Sequence, residues 1–335
     1  MRIKRENLLS LARSTVAEKV RYNKSIVAVY LTGSLLGEDF LIGGTADIDL
    51  VFIHDDTIPT SREIIPFSED IHIDIANLSQ RLFQQPRSLR ADPWISPFFC
   101  LNPILLHDTQ HWFEFTQASL CSQYNRSENI IQRARSQYDE ARQGWMNLHS
   151  QTAWNADKLL VYLRSIEKAA NAIALLSGAP LTERRFLLQY AQRCNLIQRP
   201  GLADGLVDMI AAPGEGISSA VINEWIPAWT HALNSAAQSK EASLRLTACR
   251  LPYYLRSVEA LSSDYPTAAL WIMLRTWTLA VCQLQEDQQI ISMWQQVCRN
   301  NWLDVEHVED RINTLDIYLD SVEDILDKQA RSYGL

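Results

Sequence analysis

The sequence predicts an α+β protein in which a mixed N-terminal part precedes an all-helical remainder. Up to about Trp112, short apolar runs rich in β-branched residues alternate with polar stretches that contain glycine, as is typical of strands joined by turns. From Ser127 to Leu335, nearly every segment instead carries apolar residues at helical spacing. This change of pattern predicts two domains, 1–124 and 125–335, a division that suits a chain of 335 residues.

The elements of the first domain follow from the same patterns. Apolar residues recur at helical spacing between Arg5 and Asn23, which predicts an initial helix. Three short apolar runs predict strands at 25–31, 48–53 and 71–75. A helix is expected from about Leu78, and a further strand at 103–106.

The second domain is predicted to contain about six to eight helices, separated by glycine and proline clusters. Pro266 is expected in the first turn of one helix, because proline fits that position. Four tryptophans in this region are expected in the core: Trp271, Trp277, Trp294 and Trp302.

Composition restricts the classes of function. The formal net charge is −8. Binding to a nucleic-acid backbone usually needs a concentrated basic surface, so this balance argues against nucleic acid and favours a small, polar or cationic substrate. The sequence contains no apolar run of the ~18 residues that a membrane span needs, and its N-terminus lacks the apolar stretch of a secretory signal. The expected location is therefore the cytoplasm, with no membrane partner.

The six cysteines are scattered through the chain without a CxxC pair. Disulfide frameworks occur mainly in short secreted chains, and zinc sites need clustered ligands. We therefore expect most of these cysteines to act as small buried apolar residues.

Two of the residues that carry chemistry, Asp47 and Asp49, lie at the start of the second predicted strand in the sequence Asp47-Ile48-Asp49. Because strand side chains alternate between faces, both carboxylates project from the same face. Two adjacent carboxylates repel unless a cation lies between them, and Mg²⁺ accepts oxygen ligands of this kind. Asp74, in the third predicted strand, would supply a third carboxylate for a second metal ion.

Gly33-Ser34 ends the first predicted strand, and twelve residues separate it from Asp47. A strand that ends in a glycine turn before a helix presents backbone N–H groups to an anion. Gly33 would let a phosphate approach the backbone closely, and Ser34 would donate a hydrogen bond to a terminal phosphate oxygen.

In this order, the residues resemble the nucleotidyltransferase superfamily typified by DNA polymerase beta: an apolar strand, Gly33-Ser34, a spacer, Asp47-x-Asp49 in a second strand and Asp74 in a third. The resemblance covers about residues 25–75. Within the superfamily, the layout is most similar to bacterial enzymes that adenylylate small molecules, such as the aminoglycoside nucleotidyltransferases. Those enzymes also carry a helical domain after the catalytic one.

The resemblance implies a role for each of these residues. Gly33 and Ser34 would bind the triphosphate of ATP or another nucleotide, Asp47 and Asp49 would hold Mg²⁺, and Asp74 would share a metal ion or act as the base. The implied reaction moves a nucleoside monophosphate, expected to be AMP from ATP, onto a hydroxyl group of a small molecule and releases pyrophosphate.

Two other functions remain open at this point. The acceptor would be a macromolecule, either tRNA or a protein as in toxin–antitoxin nucleotidyltransferase modules, or the chain would be a non-catalytic nucleotide-binding interaction protein. The three retained carboxylates argue against the non-catalytic alternative.

Several neighbours of the motif have alternative interpretations. Asp70, at the polar edge of the third strand, is the other candidate for the third carboxylate, and His72 is expected to be exposed. Ala46 stands where many relatives have serine, and Thr45 is the residue that would substitute for it.

The helical domain offers weaker candidates. Glu167 would be the base that activates the acceptor hydroxyl, and Lys168 would neutralise a phosphate. Both also fit ordinary surface charges on a helix. The adjacent Arg184 and Arg185 would bind phosphate, lie on a solvated helix face or form an intramolecular ion pair.

Overall fold

A computed structural model of the protein describes residues 3–55, 58, 60–149, 154–214, 216–239, 243–284 and 287–335. Its contacts divide the chain into unit 1, Met1–Asn129, and unit 2, Ile130–Leu335. Unit 1 contains a five-stranded sheet, and unit 2 is helical. The predicted α+β class is therefore confirmed.

Unit 1 is built around its sheet, whose strands are β1 (Ile26–Thr32), β2 (Ala46–His54), β3 (Arg62–Pro66), β4 (Ile71–Ser79) and β5 (Ile104–Asp108). The strand order is β3-β4-β2-β1-β5. Only β2 and β4 pair in parallel, and the other neighbours are antiparallel. The parallel pair sets the beginnings of β2 and β4 side by side.

The helix α1 (Arg5–Tyr22) covers one face of the sheet, which we call the α1 face. Leu8, Ala12 and Val16 recur every four residues along this helix and are all buried, as the sequence pattern predicts. They pack with alternate residues of the central strands: Ala46, Ile48, Leu50 and Phe52 of β2, and Ile71, Ile73 and Ile75 of β4.

Three further helices, α2 (Pro86–Arg90), α3 (Ile95–Cys100) and α4 (Trp112–Cys121), belong to the other side, which we call the opposite face. Phe99 of α3 and Phe113 of α4 each have their ring centroid 5.4 Å from that of Tyr30 on β1. Val51 and Ile53, from the second half of β2, join this cluster. The helices therefore pack over the second half of β2.

Two elements of unit 1 differ from the sequence prediction. The strand β3 was not predicted, because its five residues alternate only weakly and are at most half-buried. The helix expected from Leu78 is also wrong at that position, since β4 continues to Ser79, which pairs with His54 of β2. A 3₁₀ turn (Gln80–Gln84) follows, so the long-range pairing with β2 outweighs the local helical pattern.

A disulfide joins Cys100 at the end of α3 to Cys121 at the end of α4. This bond corrects the expectation for these two cysteines, because a sequence separation of 21 residues gives no sign that their Cα atoms lie 5.5 Å apart. Cys194 and Cys298 are buried free thiols, as expected.

The remainder contains nine α-helices among the described residues: α5 (Ser127–His149), α6 (Ala156–Ala174), α7 (Phe186–Leu196), α8 (Gly201–Asp208), α9 (Ser219–Ala237), α10 (Leu251–Leu261), α11 (Pro266–Gln283), α12 (Gln288–Asn300) and α13 (Val308–Ser332). The prediction of six to eight helices was too low, because short helices such as α8 carry too few turns to show a clear period. Within the part that the structure describes, no helix is both long and apolar enough to cross a membrane.

The centre of unit 2 is α11, which begins at Pro266 as predicted and is buried on nearly all sides. Trp271, Trp277 and Trp294 lie in the core, as expected. The prediction was wrong for Trp302, which is 40% exposed and stacks on the imidazole ring of His307. Trp302 follows the end of α12 in a left-handed backbone conformation, so it does not continue the helical face.

A buried arginine, Arg311 of α13, connects the ends of two other helices of unit 2. Its guanidinium donates hydrogen bonds to the backbone carbonyls of Asp208 and Ala211, after α8, and to those of Asn301 and Trp302, after α12. Carbonyls at helix ends lack intrahelical partners, so one side chain satisfies four groups that burial would otherwise leave unbonded.

We expect Arg311→Met to lower the free energy of unfolding by about 4 kcal/mol, because several buried carbonyls lose a charged donor at once. Urea denaturation followed by circular dichroism measures this change. The matched control is Arg331→Met, which removes an exposed arginine from the same helix and is expected to change stability by less than about 0.5 kcal/mol. Equal stabilities of the two variants would contradict the assigned role.

Candidate functional site

The three candidate carboxylates lie on one face of the sheet. Asp47 and Asp49 occupy the same side of β2 as Val51 and Ile53, which is the opposite face. Asp74 of β4 is in register with Asp49 across the parallel pair. Because neighbouring strands are ~4.8 Å apart, in-register side chains on one face are adjacent. The structure thus brings the three predicted carboxylates together.

This end of the opposite face is polar because of the alternation in β2. Ala46, Ile48 and Leu50 are at most 1% exposed and fill the α1 face, whereas Asp47 and Asp49 are half-buried. The aromatic cluster of the opposite face includes Val51 and Ile53 but not the two aspartates. On the opposite face, the second half of β2 is therefore apolar and covered by helices, whereas its first half is polar.

Gly33 follows β1 directly and contacts the carboxylate of Asp49. Its φ of +79° lies in the left-handed region, which disfavours any other residue. A Cβ atom at this position would lie 1.9 Å from Asp49 Oδ2 and 2.7 Å from Asp49 Cγ. Glycine is thus needed for the approach of the Asp49 carboxylate to the backbone, a reason that the sequence did not indicate.

Ser34 begins a 3₁₀ turn of three residues, Ser34–Leu36, instead of the longer helix expected there. So short a turn provides little helix dipole, and the expected helix N-terminus for an anion is not formed. The Ser34 Oγ atom is nevertheless buried and has no hydrogen-bond partner among the described residues. Buried hydroxyl groups are normally hydrogen-bonded, so an orphaned one directly after Gly33, which contacts Asp49, is a candidate donor to a ligand.

Asp74 forms an ion pair that the sequence analysis missed. Arg62 of β3 donates from Nε to Asp74 Oδ1 and from Nη2 to Asp74 Oδ2, both at 2.7 Å. The Asp74 side chain is 2% exposed and that of Arg62 is 47% exposed. No local signal marks Arg62 in the sequence, because the contact depends on the pairing of β3 with β4.

Three residues next to the motif, Thr45, Asp70 and His72, lie at the beginnings of β2 and β4. His72 is 1% exposed, so the expectation of an exposed histidine was wrong; it lies beside Asp47 in the parallel pair. Asp70 precedes β4, and its carbonyl accepts a hydrogen bond from the Ala46 N–H. The Thr45 hydroxyl donates to the carbonyl of Ile42 and helps to close the turn before β2.

The candidates of the helical domain all lie in unit 2. Glu167 accepts a hydrogen bond from Arg275 Nη2 at 2.7 Å, and both side chains are largely buried. Lys168 Nζ lies 2.6 Å from Glu140 Oε2. Each residue thus forms an ion pair inside unit 2. The alternative of an ordinary surface charge was wrong for Glu167, whose partner Arg275 lies on another helix and whose side chain is 14% exposed.

Of the pair Arg184-Arg185, Arg184 is buried and Arg185 is half-buried. The Arg184 side chain is buried, donates to Ser257 Oγ at 2.7 Å and lies over the ring of Tyr253. Its contacts are those of a core arginine of unit 2, which favours a structural role over phosphate binding.

A second group of possible metal ligands lies at the end of β5: Asp108, His111 and Glu114. Their ligand atoms lie within 4.8 Å of one another. The Asp108 carboxylate accepts hydrogen bonds from the backbone N–H groups of Phe113 and Glu114, and His111 Nδ1 lies 2.9 Å from Glu114 Oε2. The hydrogen bonds of Asp108 cap α4, and His111 and Glu114 form an exposed ion pair. These contacts account for the arrangement, so we assign no function to it.

The sequence matches no protein-family model and no curated protein. The resemblance of residues 25–75 to polymerase-beta-like nucleotidyltransferases therefore stays a prediction, carried by the motif residues themselves.

Proposed function

We propose that the chain is a Mg²⁺-dependent nucleotidyltransferase that moves AMP from ATP to a hydroxyl group of a small molecule. One observation carries the proposal: Asp47, Asp49 and Asp74 lie together on one face of the sheet, with the Gly33 backbone packed against Asp49. Like charges at this spacing are costly unless a cation offsets them, and carboxylates are ligands that Mg²⁺ prefers.

The orphaned hydroxyl supports the nucleotide half of the proposal. Ser34 Oγ is a buried donor without a partner among the described residues, directly after Gly33 in the chain. A phosphate oxygen would accept its hydrogen bond, and such a bond to an anion is stronger than one between neutral groups. Ser34 would thus fix the end of the triphosphate while Gly33 keeps the space beside Asp49 clear of side-chain atoms.

The carboxylates have distinct tasks in this reaction. Asp47 and Asp49 would hold the cation, which when bound polarises the phosphate and offsets the charge of the leaving pyrophosphate. Asp74 would either join them or accept the proton of the acceptor hydroxyl.

The acceptor is proposed to be a small polar molecule, with a cation favoured by the formal charge of −8. Negative protein charge raises the local concentration of cationic ligands through a field that salt screens. The KM for such an acceptor is therefore expected to rise with ionic strength more than the KM for a neutral one.

Incubation with α-labelled ATP and Mg²⁺ tests the proposal. The purified protein is offered aminoglycosides, lincosamides, tRNA and no added acceptor, and the labelled product is identified by chromatography. We expect label on a small cationic acceptor, with pyrophosphate released in equal amount. Label on tRNA or on the protein itself would support a macromolecular acceptor instead. No transfer to any acceptor, together with no binding of ATP, would contradict the enzymatic assignment.

A further inference from the structure

Arg62 of β3 pairs with Asp74, a contact that the proposed reaction does not use. The β3–β4 pairing places Ile64 opposite Asp74, and Arg62 is two residues away on the same face as Ile64. From this diagonal position its guanidinium reaches both oxygens of Asp74 at 2.7 Å. Paired donors on both oxygens fix the orientation of the Asp74 carboxylate.

The ion pair also changes the charge of the site. Asp49 and Asp74 are adjacent in the parallel pair, and two carboxylates at that spacing repel. The positive charge of Arg62 offsets part of this repulsion, as a bound divalent cation would. A cation that approached Asp74 would therefore meet a carboxylate whose charge is already compensated and would be repelled by the guanidinium.

We propose that Arg62 is a positioning residue that keeps Asp74 out of the metal site until nucleotide binds. This inference rests on the proposed function. The Arg62 side chain is 47% exposed although its partner is buried, so the residue is in contact with solvent. A phosphate group is an alternative bidentate partner for arginine. Phosphate binding by Arg62 frees Asp74 to join Asp47 and Asp49, which makes recruitment of the third carboxylate dependent on nucleotide.

Mn²⁺ titration of four proteins tests the proposal: wild type, Arg62→Gln, Asp74→Asn and the double variant. Affinity is measured by electron paramagnetic resonance, with and without the non-cleavable α,β-methylene analogue of ATP. Without nucleotide, we expect Asp74→Asn to leave the Mn²⁺ affinity unchanged and Arg62→Gln to raise it about tenfold. The double variant should return to the wild-type value. With the analogue, Asp74→Asn alone should weaken Mn²⁺ binding about tenfold.

The matched control is Lys19→Gln, which removes a second ion pair of β3. Lys19 Nζ lies 2.8 Å from Glu63 Oε2, and Glu63 is next to Arg62 in the strand but points to the α1 face. This variant also loses a cation that contacts β3, but on the other side of the sheet. Its Mn²⁺ affinity is expected to equal that of the wild type in both conditions.

A purely structural role for Arg62 would give different results. If Asp74→Asn weakens Mn²⁺ binding without nucleotide as strongly as with it, Asp74 is a ligand throughout and the inference is wrong. If Mn²⁺ binds no protein in either condition, the proposed function itself fails. Should Arg62→Gln not fold, Arg62→Lys keeps the charge without the paired donors and is expected to give an intermediate affinity. Even without either arginine variant, the Asp74→Asn comparison decides whether Asp74 joins the metal site only when nucleotide is bound.

Discussion

Asp47→Asn and Asp49→Asn are each expected to reduce nucleotidyl transfer on the order of a thousandfold, while the protein remains folded. Each substitution removes one of the charges proposed to hold the cation, whose contribution to the transition state is several kcal/mol, and 1.4 kcal/mol corresponds to about a factor of ten. Both side chains are half-buried on the opposite face, away from the packed α1 face, so packing is largely kept. Steady-state transfer assays and thermal melting of the same samples separate activity from stability.

Without a bound cation, these substitutions are expected to leave the melting temperature unchanged or to raise it. Asp47 and Asp49 lie on the same face of β2, so replacing either one removes the repulsion between them. The control is Glu69→Gln, which removes one negative charge from an exposed position of the same unit. Full activity of either aspartate variant in Mg²⁺ would exclude the metal assignment.

Gly33→Ala is expected to weaken binding of the Mg²⁺–ATP complex by at least about tenfold. The added Cβ atom would lie 1.9 Å from Asp49 Oδ2, a distance that forces either the carboxylate or the backbone to move. Residues with a side chain are also strained at a φ of +79°, at a cost of about 1–3 kcal/mol. Isothermal titration calorimetry with a non-cleavable ATP analogue and Mg²⁺ measures the affinity.

Gly44→Ala separates the two effects of the Gly33 substitution. Gly44 has a φ of +74°, close to that of Gly33, but a Cβ atom there would have no neighbour within 4 Å. Both variants place a side chain at positive φ, and only Gly33→Ala should lose affinity for the Mg²⁺–ATP complex. If the two variants bind the ATP analogue equally well, the Gly33–Asp49 contact has no part in nucleotide binding.

Much of the candidate site was predictable from sequence because it depends on local properties of strands. Alternation along one strand places Asp47 and Asp49 on the same face wherever that strand lies, and β1 ends at Thr32, directly before Gly33-Ser34. The helical remainder was predictable for the same reason, since a helix repeats its apolar face within a few turns. Predicting these features does not require knowing which helices and strands are in contact.

Other predictions failed where a contact outweighed the local pattern. The helix expected from Leu78 is strand because β4 pairs with β2 along its whole length. Cys100 and Cys121 form a disulfide because α3 and α4 pack on the same face of the sheet. His72 is buried in β4, which lies between β3 and β2 in the sheet, although three of the five residues in the local sequence Asp-Ile-His-Ile-Asp are polar.

The sequence by itself thus determined the α+β class, the motif residues and the shared face of Asp47 and Asp49. Only the tertiary structure decided that Asp74 lies beside Asp49, that Arg62 holds Asp74, and that Gly33 is required by the Asp49 carboxylate. Side-chain alternation and helical period are set by backbone geometry within a few residues. Strand order, parallel pairing and register depend on the burial of both faces of the sheet at once, which no short segment of sequence specifies.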